Sequence, residues 1–225
     1  MRRTIAPFVA ALGLLAASAV SAHSADSATG DHSRHATTSS EAAPVATEIA
    51  SAGRRAPDAR AYFTDTELID QDGRRVRFYS DVMADRVVMF NFIFTSCDDA
   101  CPLITQAIAA VKDQIPEIFG KPVHFISISV DPVTDTPERL REFAAKNNAD
   151  MAGWTFLTGD PENVARILKK LGQFSEEREA HSTLLIAGNV PQKRWSKIRP
   201  EAPAAAIAER LRALAAAGVQ ARAAE

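Results

Sequence analysis

Two long apolar runs constrain the fold of this chain more than any other feature of its sequence. They span residues 87–95 and 123–130 and are rich in valine, isoleucine and phenylalanine. Each can therefore cross a sheet that is buried on both faces. Between the runs, Leu103, Ala107 and Val111 recur at helical spacing. The order strand, helix, strand predicts a parallel βαβ unit, because parallel strands need a crossover connection of this kind.

Shorter elements precede and follow this unit. Residues 67–69 and 76–78 surround a turn that contains Gly73, which predicts a β-hairpin. Thr136 and Asp160 are each followed by a proline. A capping side chain with proline in the first turn is typical of the start of a helix. Two further helices are therefore predicted after the βαβ unit.

The C-terminal part of the chain completes the alternation of strands and helices. Residues 182–187 and 194–198 are predicted to form two strands joined around Gly188 and Asn189. An amphipathic helix over residues 207–214 then closes the fold. Together these elements predict an α/β protein with a thioredoxin-like fold, in which a central mixed sheet is flanked by helices and the β-hairpin lies on the N-terminal side.

The first residues resemble a secretory signal rather than part of a folded domain. A positive start at Arg2 and Arg3 is followed by an apolar run, and small residues end at Ala22. Residues 1–22 are therefore predicted to be a signal peptide that directs the protein to the periplasm. The alternative is an uncleaved membrane anchor, because residues 4–22 carry no charge.

The next segment cannot bury enough apolar surface to fold. Residues 23–60 consist of Ser, Thr, Ala and small polar residues with almost no large apolar side chain, which predicts a disordered tether. Residues 61–217 are predicted to form the folded, thioredoxin-like copper-binding domain, and residues 218–225 are predicted to form a tail. The tether contains three histidines, His23, His32 and His35. They are either part of a solvated linker or ligands for copper beside a freed terminal amine.

Charge and cysteine content narrow the possible functions. The chain has 26 Lys and Arg against 28 Asp and Glu, a net charge of −2, so it lacks the basic excess that binding to nucleic acid requires. Its two cysteines, Cys97 and Cys101, are too few for a disulfide scaffold. Their close spacing instead directs attention to thiol or metal chemistry.

Both thiols lie where a buried strand ends and a helix begins. A helix N-terminus favours the thiolate form, whereas Asp98 and Asp99 disfavour it and attract a cation. In a regular helix Cys97 and Cys101 would be too far apart for a disulfide. With Cys97 in the loop and Cys101 in the first turn, the pair could switch between dithiol and disulfide. Open thiolates also hold soft metals.

His181 is the candidate for a third ligand. It directly precedes an apolar strand, at a junction that faces the thiol-bearing helix in a thioredoxin-like sheet. Two sulfurs and one imidazole would suit monovalent copper. The alternative interpretation is a surface histidine at the start of a strand.

Other polar residues have less specific roles. Asp131 and Asp135 fall at the carboxyl end of the second apolar run, where they either line the site or form the turn before the helix. His124 lies within a predicted strand and is interpreted as a strand residue that is either hydrogen-bonded in the core or half-exposed.

The chain contains a motif from Cys97 through Cys101 to Pro102, the segments Val130-Asp131-Pro132 and Asp135-Thr136-Pro137, and His181 before an apolar strand. Together these features resemble the Sco/SenC family. This resemblance implies a copper ion bound by Cys97, Cys101 and His181 in a thioredoxin-like domain outside the cytosol. It also implies maturation of the dinuclear copper centre in subunit II of cytochrome c oxidase, by delivery of copper or by reduction of cysteines.

The sequence also departs from the common family pattern. Asp98, Asp99 and Ala100 stand where many members have Pro-Asp-Val, and Ala180 stands where many have Asp before the histidine. Many members also end the next strand in an Asp and Gly turn, where this chain has residues 187–189. The ligand set is intact, but the surface that a recipient would touch differs.

Two hypotheses follow. The first is a periplasmic copper metallochaperone that acts on subunit II or on another periplasmic copper or thiol protein, with membrane contact only if the N-terminal segment is uncleaved. The second is a thiol–disulfide oxidoreductase with Cys97 and Cys101 as its redox pair. A thiol peroxidase on the same fold would need a peroxide-activating pocket, for which the sequence gives no pattern.

Overall fold

The computed structural model describes residues 58–222, with side chains up to residue 216. The predicted signal peptide, nearly all of the predicted tether with its three histidines, and the last residues of the predicted tail lie outside the described residues. The helices are α1 Ala59–Phe63, α2 Ala100–Gln114, α3 Pro137–Lys146, α4 Pro161–Leu171 and α5 Ala204–Arg222. The strands are β1 Glu67–Asp70, β2 Arg75–Arg77, β3 Val87–Ile93, β4 Val123–Ser129, β5 Trp154–Thr158, β6 Leu185–Asn189 and β7 Arg194–Ile198.

All seven strands form one mixed sheet in the order β2-β1-β5-β4-β3-β6-β7. The central strands β3, β4 and β5 are parallel, as the predicted βαβ unit requires. Antiparallel strands extend both sides, with the β1–β2 hairpin at one edge and the β6–β7 pair at the other. The predicted α/β fold with a central mixed sheet and flanking helices is therefore confirmed.

The predicted helix starts are also present. The Thr136 side chain accepts a hydrogen bond from the backbone N–H of Arg139, and the Asp160 side chain accepts bonds from the first turn of α4. Helix α4 ends at Gly172, whose φ of 67° lies in the left-handed region. These signals are local, because a side chain and its own backbone satisfy the free ends of each helix.

The structure differs from the sequence interpretation in three respects: one strand, one turn and the ends of the domain. Strand β5 was not predicted, although its central position between β1 and β4 buries nearly all of it. Gly188 and Asn189 lie inside β6, and the turn comes after them at residues 190–193, with Lys193 at a φ of 56°. At the ends of the domain, α1 begins within the predicted tether and α5 continues to Arg222 in the predicted tail.

The sheet separates two apolar cores. One face packs against α2, α3 and α5, and its core includes Cys101, Leu185 and Ala187. The opposite face packs against α1 and α4, and its core includes Phe63 and Ile186. Within residues 58–222, none of the helices is both long enough and apolar enough to cross a membrane.

Candidate functional site

The two cysteines adopt the loop and first-turn arrangement that their spacing predicts. Cys97 lies in the loop after β3, and its backbone N–H donates to the carbonyl of Phe94 at 3.1 Å. Cys101 lies in the first turn of α2, and its backbone N–H donates to Cys97 Sγ at 3.4 Å. Both thiols are free. A helix N-terminus thus offers a donor to the Cys97 sulfur, which stabilises negative charge there.

The environments of the two thiols differ. Cys97 is half-buried, whereas Cys101 is only 1% exposed. Burial is the main cause that raises the pKa of Cys101 to about 12, and the nearby Cys97 and Asp135 act in the same direction, whereas one backbone hydrogen bond from Phe94 acts in the opposite direction. Cys101 is therefore a protonated thiol at neutral pH. An external reagent or protein meets Cys97 first.

A buried carboxylate fixes the loop that carries Cys97. Asp135 is 1% exposed and accepts hydrogen bonds from the backbone N–H and hydroxyl of Thr95 and from the hydroxyl of Ser129. Thr95 follows β3, and Ser129 ends β4. Asp135 therefore joins the carboxyl ends of two parallel strands. The backbone N–H of Asp135 donates to the carbonyl of Asp131 at 2.9 Å, so Asp135 takes part in the turn before α3, as one of the two sequence interpretations expects.

His181 lies against the end of β3, the strand that leads to the thiols. Its ring makes an edge-to-face contact with the ring of Phe94, with centroids 5.7 Å apart. Its Nε2 atom is 3.2 Å from the carbonyl oxygen of Phe92, and its Nδ1 atom contacts the carbonyl of Arg178. Both ring nitrogens therefore face backbone carbonyls. A metal ion would have to displace one of these two contacts in order to bind.

Arg178 holds the segment before His181 on the sheet. Its guanidinium group pairs with Asp131, in the loop after β4, and with the neighbouring Glu179. The same group lies over the Phe94 ring at 5.3 Å from the centroid. An ion pair and a cation–π contact thus attach this short helical turn to the strand ends.

These groups surround one end of β3 but are not assembled as a metal centre. Among the described residues, no group of three or more His, Cys, Asp or Glu side chains is close enough to hold a metal ion. The structure brings Cys97 and Cys101 together, and His181 lies beside the ring of Phe94, whose backbone carbonyl accepts from the Cys97 N–H. Two thiols and an imidazole are the donor chemistry that soft metals prefer. The assignment of His181 as a ligand remains a prediction.

A groove of about 380 Å³ opens beside Cys97. The loop residues Cys97 and Asp98 line one side, and α3 contributes Arg139, Glu142 and Lys146 to the other. Charges of both signs therefore line the groove beside the half-buried Cys97. The α3 residues recur at helical spacing and lie on one face of the helix, a signal that the sequence contained.

The sequence profile of the SCO1/SenC family matches residues 54–216, which is most of the chain and nearly the whole of the described domain. This chain belongs to the SCO1/SenC family. The resemblance that the cysteine and histidine motifs indicated is therefore confirmed.

Individual SCO1/SenC relatives match over shorter stretches. A Bacillus subtilis SCO1 homologue is 36% identical over 90 residues, which is 40% of this chain and 45% of the relative. A Stutzerimonas stutzeri protein named for copper binding is 30% identical over 106 residues, 47% of this chain and 50% of the relative. The chain therefore spans about half the length of these relatives.

Solved structures of the family share the architecture. A SCO1/SenC lipoprotein from Bacillus anthracis superposes with a TM-score of 0.58 at 27% identity, over 66% of this chain and 92% of that chain. The thioredoxin-like fold expected from the sequence is thus the fold of the family.

Two contributors to this SCO1/SenC site were not predicted. Arg178 lies in a run of charged residues, where nothing in the pattern distinguishes it from its neighbours. Phe94 belongs to the apolar run of β3, yet it contacts both His181 and Arg178. Only the folded chain shows these contacts, because they join residues far apart in sequence.

Proposed function

We propose that this SCO1/SenC protein binds one monovalent copper ion through Cys97, Cys101 and His181 and transfers it to another protein. The observation that carries the proposal is the convergence of two free thiols and one imidazole on the carboxyl end of β3. The copper-binding name of the Stutzerimonas stutzeri relative supports it. Binding requires His181 to leave one carbonyl, after which its nitrogen can turn towards the sulfurs.

Transfer proceeds by exchange of ligands. Cys97 is the ligand that a recipient reaches, because it is half-buried and borders the open groove, whereas Cys101 is buried. Thiolates of the recipient displace the ligands one at a time, so copper need not be released into solution. The proposed recipient is subunit II of cytochrome c oxidase, at its dinuclear copper centre, or another periplasmic copper or thiol protein.

The proposed location is the periplasm. The N-terminal residues have the positive start, apolar run and small-residue end of a secretory signal. The Bacillus anthracis family member of similar structure is a lipoprotein, which supports placement of this chain outside the cytoplasm. Such a compartment also contains the proposed recipients.

Competition titration of monovalent copper against a chelator tests the site. The reduced protein is expected to bind one equivalent, and His181→Ala is expected to lower the affinity by about tenfold or more. The matched control is His124→Gln, which changes a histidine within β4 and should retain the affinity. Thiol counting should give two reduced cysteines in every variant. Unchanged affinity in the His181 variant would contradict the proposed ligand set.

The unequal thiols favour a second candidate function. A half-buried Cys97 with a backbone donor suits the attacking role in thiol–disulfide exchange, and a buried Cys101 suits the resolving role. In this oxidoreductase, Cys97 attacks a disulfide of the partner, and Cys101 then displaces the partner thiol to leave a Cys97–Cys101 disulfide. His181→Ala separates the two functions, because exchange with a disulfide substrate should persist while copper binding weakens.

A further inference from the structure

A second cavity lies on the face of the sheet opposite the thiols. Its volume is about 550 Å³, within the range of small-molecule sites. Helix α1 contributes Tyr62 and Phe63, α4 contributes Lys170, and the β6–β7 pair contributes Trp195 and Lys197. None of the proposed copper ligands lines it. It is therefore a separate feature of the fold.

Aromatic rings form the floor of this cavity, and a glycine leaves room for one of them. A Cβ atom at Gly188 would lie 2.2 Å from Cε3 of Trp195, so only glycine lets the indole lie flat against β6. The Trp195 ring packs beside Phe63, with centroids 5.5 Å apart. Tyr62 adds a third ring and is 43% exposed. Together these rings give an apolar surface on which a flat or linear hydrocarbon can lie.

The rim of the cavity is positively charged. Lys170, Lys193 and Lys197 line it, and no lining residue, all of them within the described domain, is acidic. This bias is local, because the whole chain has a net charge of −2. Lys170 and Lys197 place positive charge at the edge of the cavity, which attracts an anion and disfavours a second cation.

The walls are held in place by contacts between α1 and α4. The Tyr62 hydroxyl donates to the Lys170 carbonyl at 2.9 Å, and the Lys170 ammonium group contacts the Tyr62 carbonyl. The same ammonium group lies 5.0 Å from the centroid of the Tyr62 ring. The positive edge and the apolar floor are therefore fixed relative to each other before any ligand arrives, which lowers the entropic cost of binding.

We propose that this cavity binds a small amphipathic anion, whose apolar body lies on the Phe63 and Trp195 rings and whose carboxylate or phosphate head meets the lysines at the rim. Apolar burial supplies the affinity, and the lysines select the charge. The same chemistry is available from a free acid or from an anionic phospholipid, and the test distinguishes these two sources.

Tryptophan emission reports on the site directly. Trp195 lines the cavity, whereas Trp154, the other tryptophan of the chain, is buried at 1% exposure on the opposite face. Titration with decanoate below its micellar concentration is expected to shift or quench the emission saturably. Decanol, which has the same chain without the charge, should bind at least about threefold more weakly. In Trp195→Phe the emission change should be lost.

Charge variants test the rim. Lys197→Gln is expected to weaken decanoate binding about threefold, because it removes one positive charge at the edge of the cavity, and Lys197→Glu about tenfold, because it replaces that charge with a negative one. Lys169→Gln is the matched control. Lys169 lies on the same helix as Lys170, but its ammonium group lies over Phe174, 4.5 Å from the ring centroid, and it does not line the cavity. This variant should bind decanoate as the unmodified protein does.

Sedimentation with lipid vesicles shows whether the ligand is a phospholipid or a free acid. Binding to phosphatidylglycerol vesicles but not to phosphatidylcholine vesicles, reduced by Lys197→Glu and not by Lys169→Gln, supports the proposal with a phospholipid as ligand. Binding of free decanoate alone supports it with a small acid as ligand.

The proposal is overturned if neither probe binds, if decanol binds as tightly as decanoate, or if the Lys169 and Lys197 variants behave alike. Copper affinity stays unchanged in the Lys197 variants, so these results are independent of the copper site.

Discussion

His124 lies within a buried strand with one ring nitrogen that has no hydrogen-bond partner. The atom is Nδ1, and it is among the few such buried side-chain atoms in the described domain. Burial lowers the pKa of His124, and the positive charge of Arg86 lowers it further, against a hydrogen bond to Pro122 that raises it. The sequence interpretation of His124 as a structural residue agrees with this position, but its unpaired nitrogen was not predictable.

This environment makes folding stability depend on pH. Because the pKa of His124 is lower in the folded protein than the ordinary value of 6.5, the unfolded chain takes up the proton first. The contribution of His124 is therefore fully present above pH 6.5 and is lost as the pH falls through the lowered pKa. We expect the free energy of unfolding to decrease from pH 7 to pH 5, and to decrease less in His124→Phe. Urea denaturation across this range measures both slopes, and identical slopes would refute the assignment.

At the scale of elements, the short turn Arg178–Ala180 is attached to the sheet mainly by one side chain. Arg178 pairs with Asp131, whose side chain is 13% exposed, and lies over Phe94. We expect Arg178→Gln to increase the rate of backbone hydrogen exchange over residues 178–183 about fivefold, as loss of a partly buried ion pair implies.

A matched variant shows whether this effect is local. Arg212→Gln removes surface ion pairs with Glu117 and Glu209, far in sequence from His181. Exchange over residues 178–183 should be unchanged in that variant. If both variants increase the exchange rate equally, Arg178 does not hold the segment.

The helices and strands also show how much of the fold can be predicted from the sequence alone. Helices α3 and α4 could be predicted because their start signals, such as Thr136 and Asp160, act within one turn. Strand β5 could not, because it is short and acquires its burial from pairing with β1 and β4. The prediction of the β6–β7 turn was wrong because Gly188 is not a turn residue: it lies in β6, where the absence of a side chain lets Trp195 pack against the strand.

The candidate site shows the same difference between local features, which the sequence predicts, and long-range contacts, which it does not. The positions of Cys97 and Cys101 follow from a strand end and a helix start, which are local features. The contacts of His181 with Phe92 and Phe94 depend on the path of the chain between distant segments. The sequence therefore predicted that His181 lies near the thiols, but it could not give the carbonyls that its ring faces.

For the whole molecule, oxidation of the cysteine pair should change stability only slightly. A disulfide between Cys97 and Cys101 would close a loop of a few residues, for which the loss of entropy in the unfolded chain is worth about 2 kcal/mol before any strain. Chemical denaturation with and without reductant should differ by no more than this. Cys97→Ser should show no difference, because it has a single thiol. A stabilisation of about 4 kcal/mol would mean that oxidation reorganises more than the loop.

The central sheet has a consequence for how the protein can meet two partners at once. Ile186 and Ala187 are neighbours on β6, yet they belong to the cores of opposite faces. A ligand on the Trp195 ring and a protein beside Cys97 are therefore kept apart by the thickness of the sheet. If the lysine rim rests on an anionic lipid surface, the face of the sheet that packs against α2 and α3, with the groove beside Cys97, lies on the side away from that surface and is left to a protein partner.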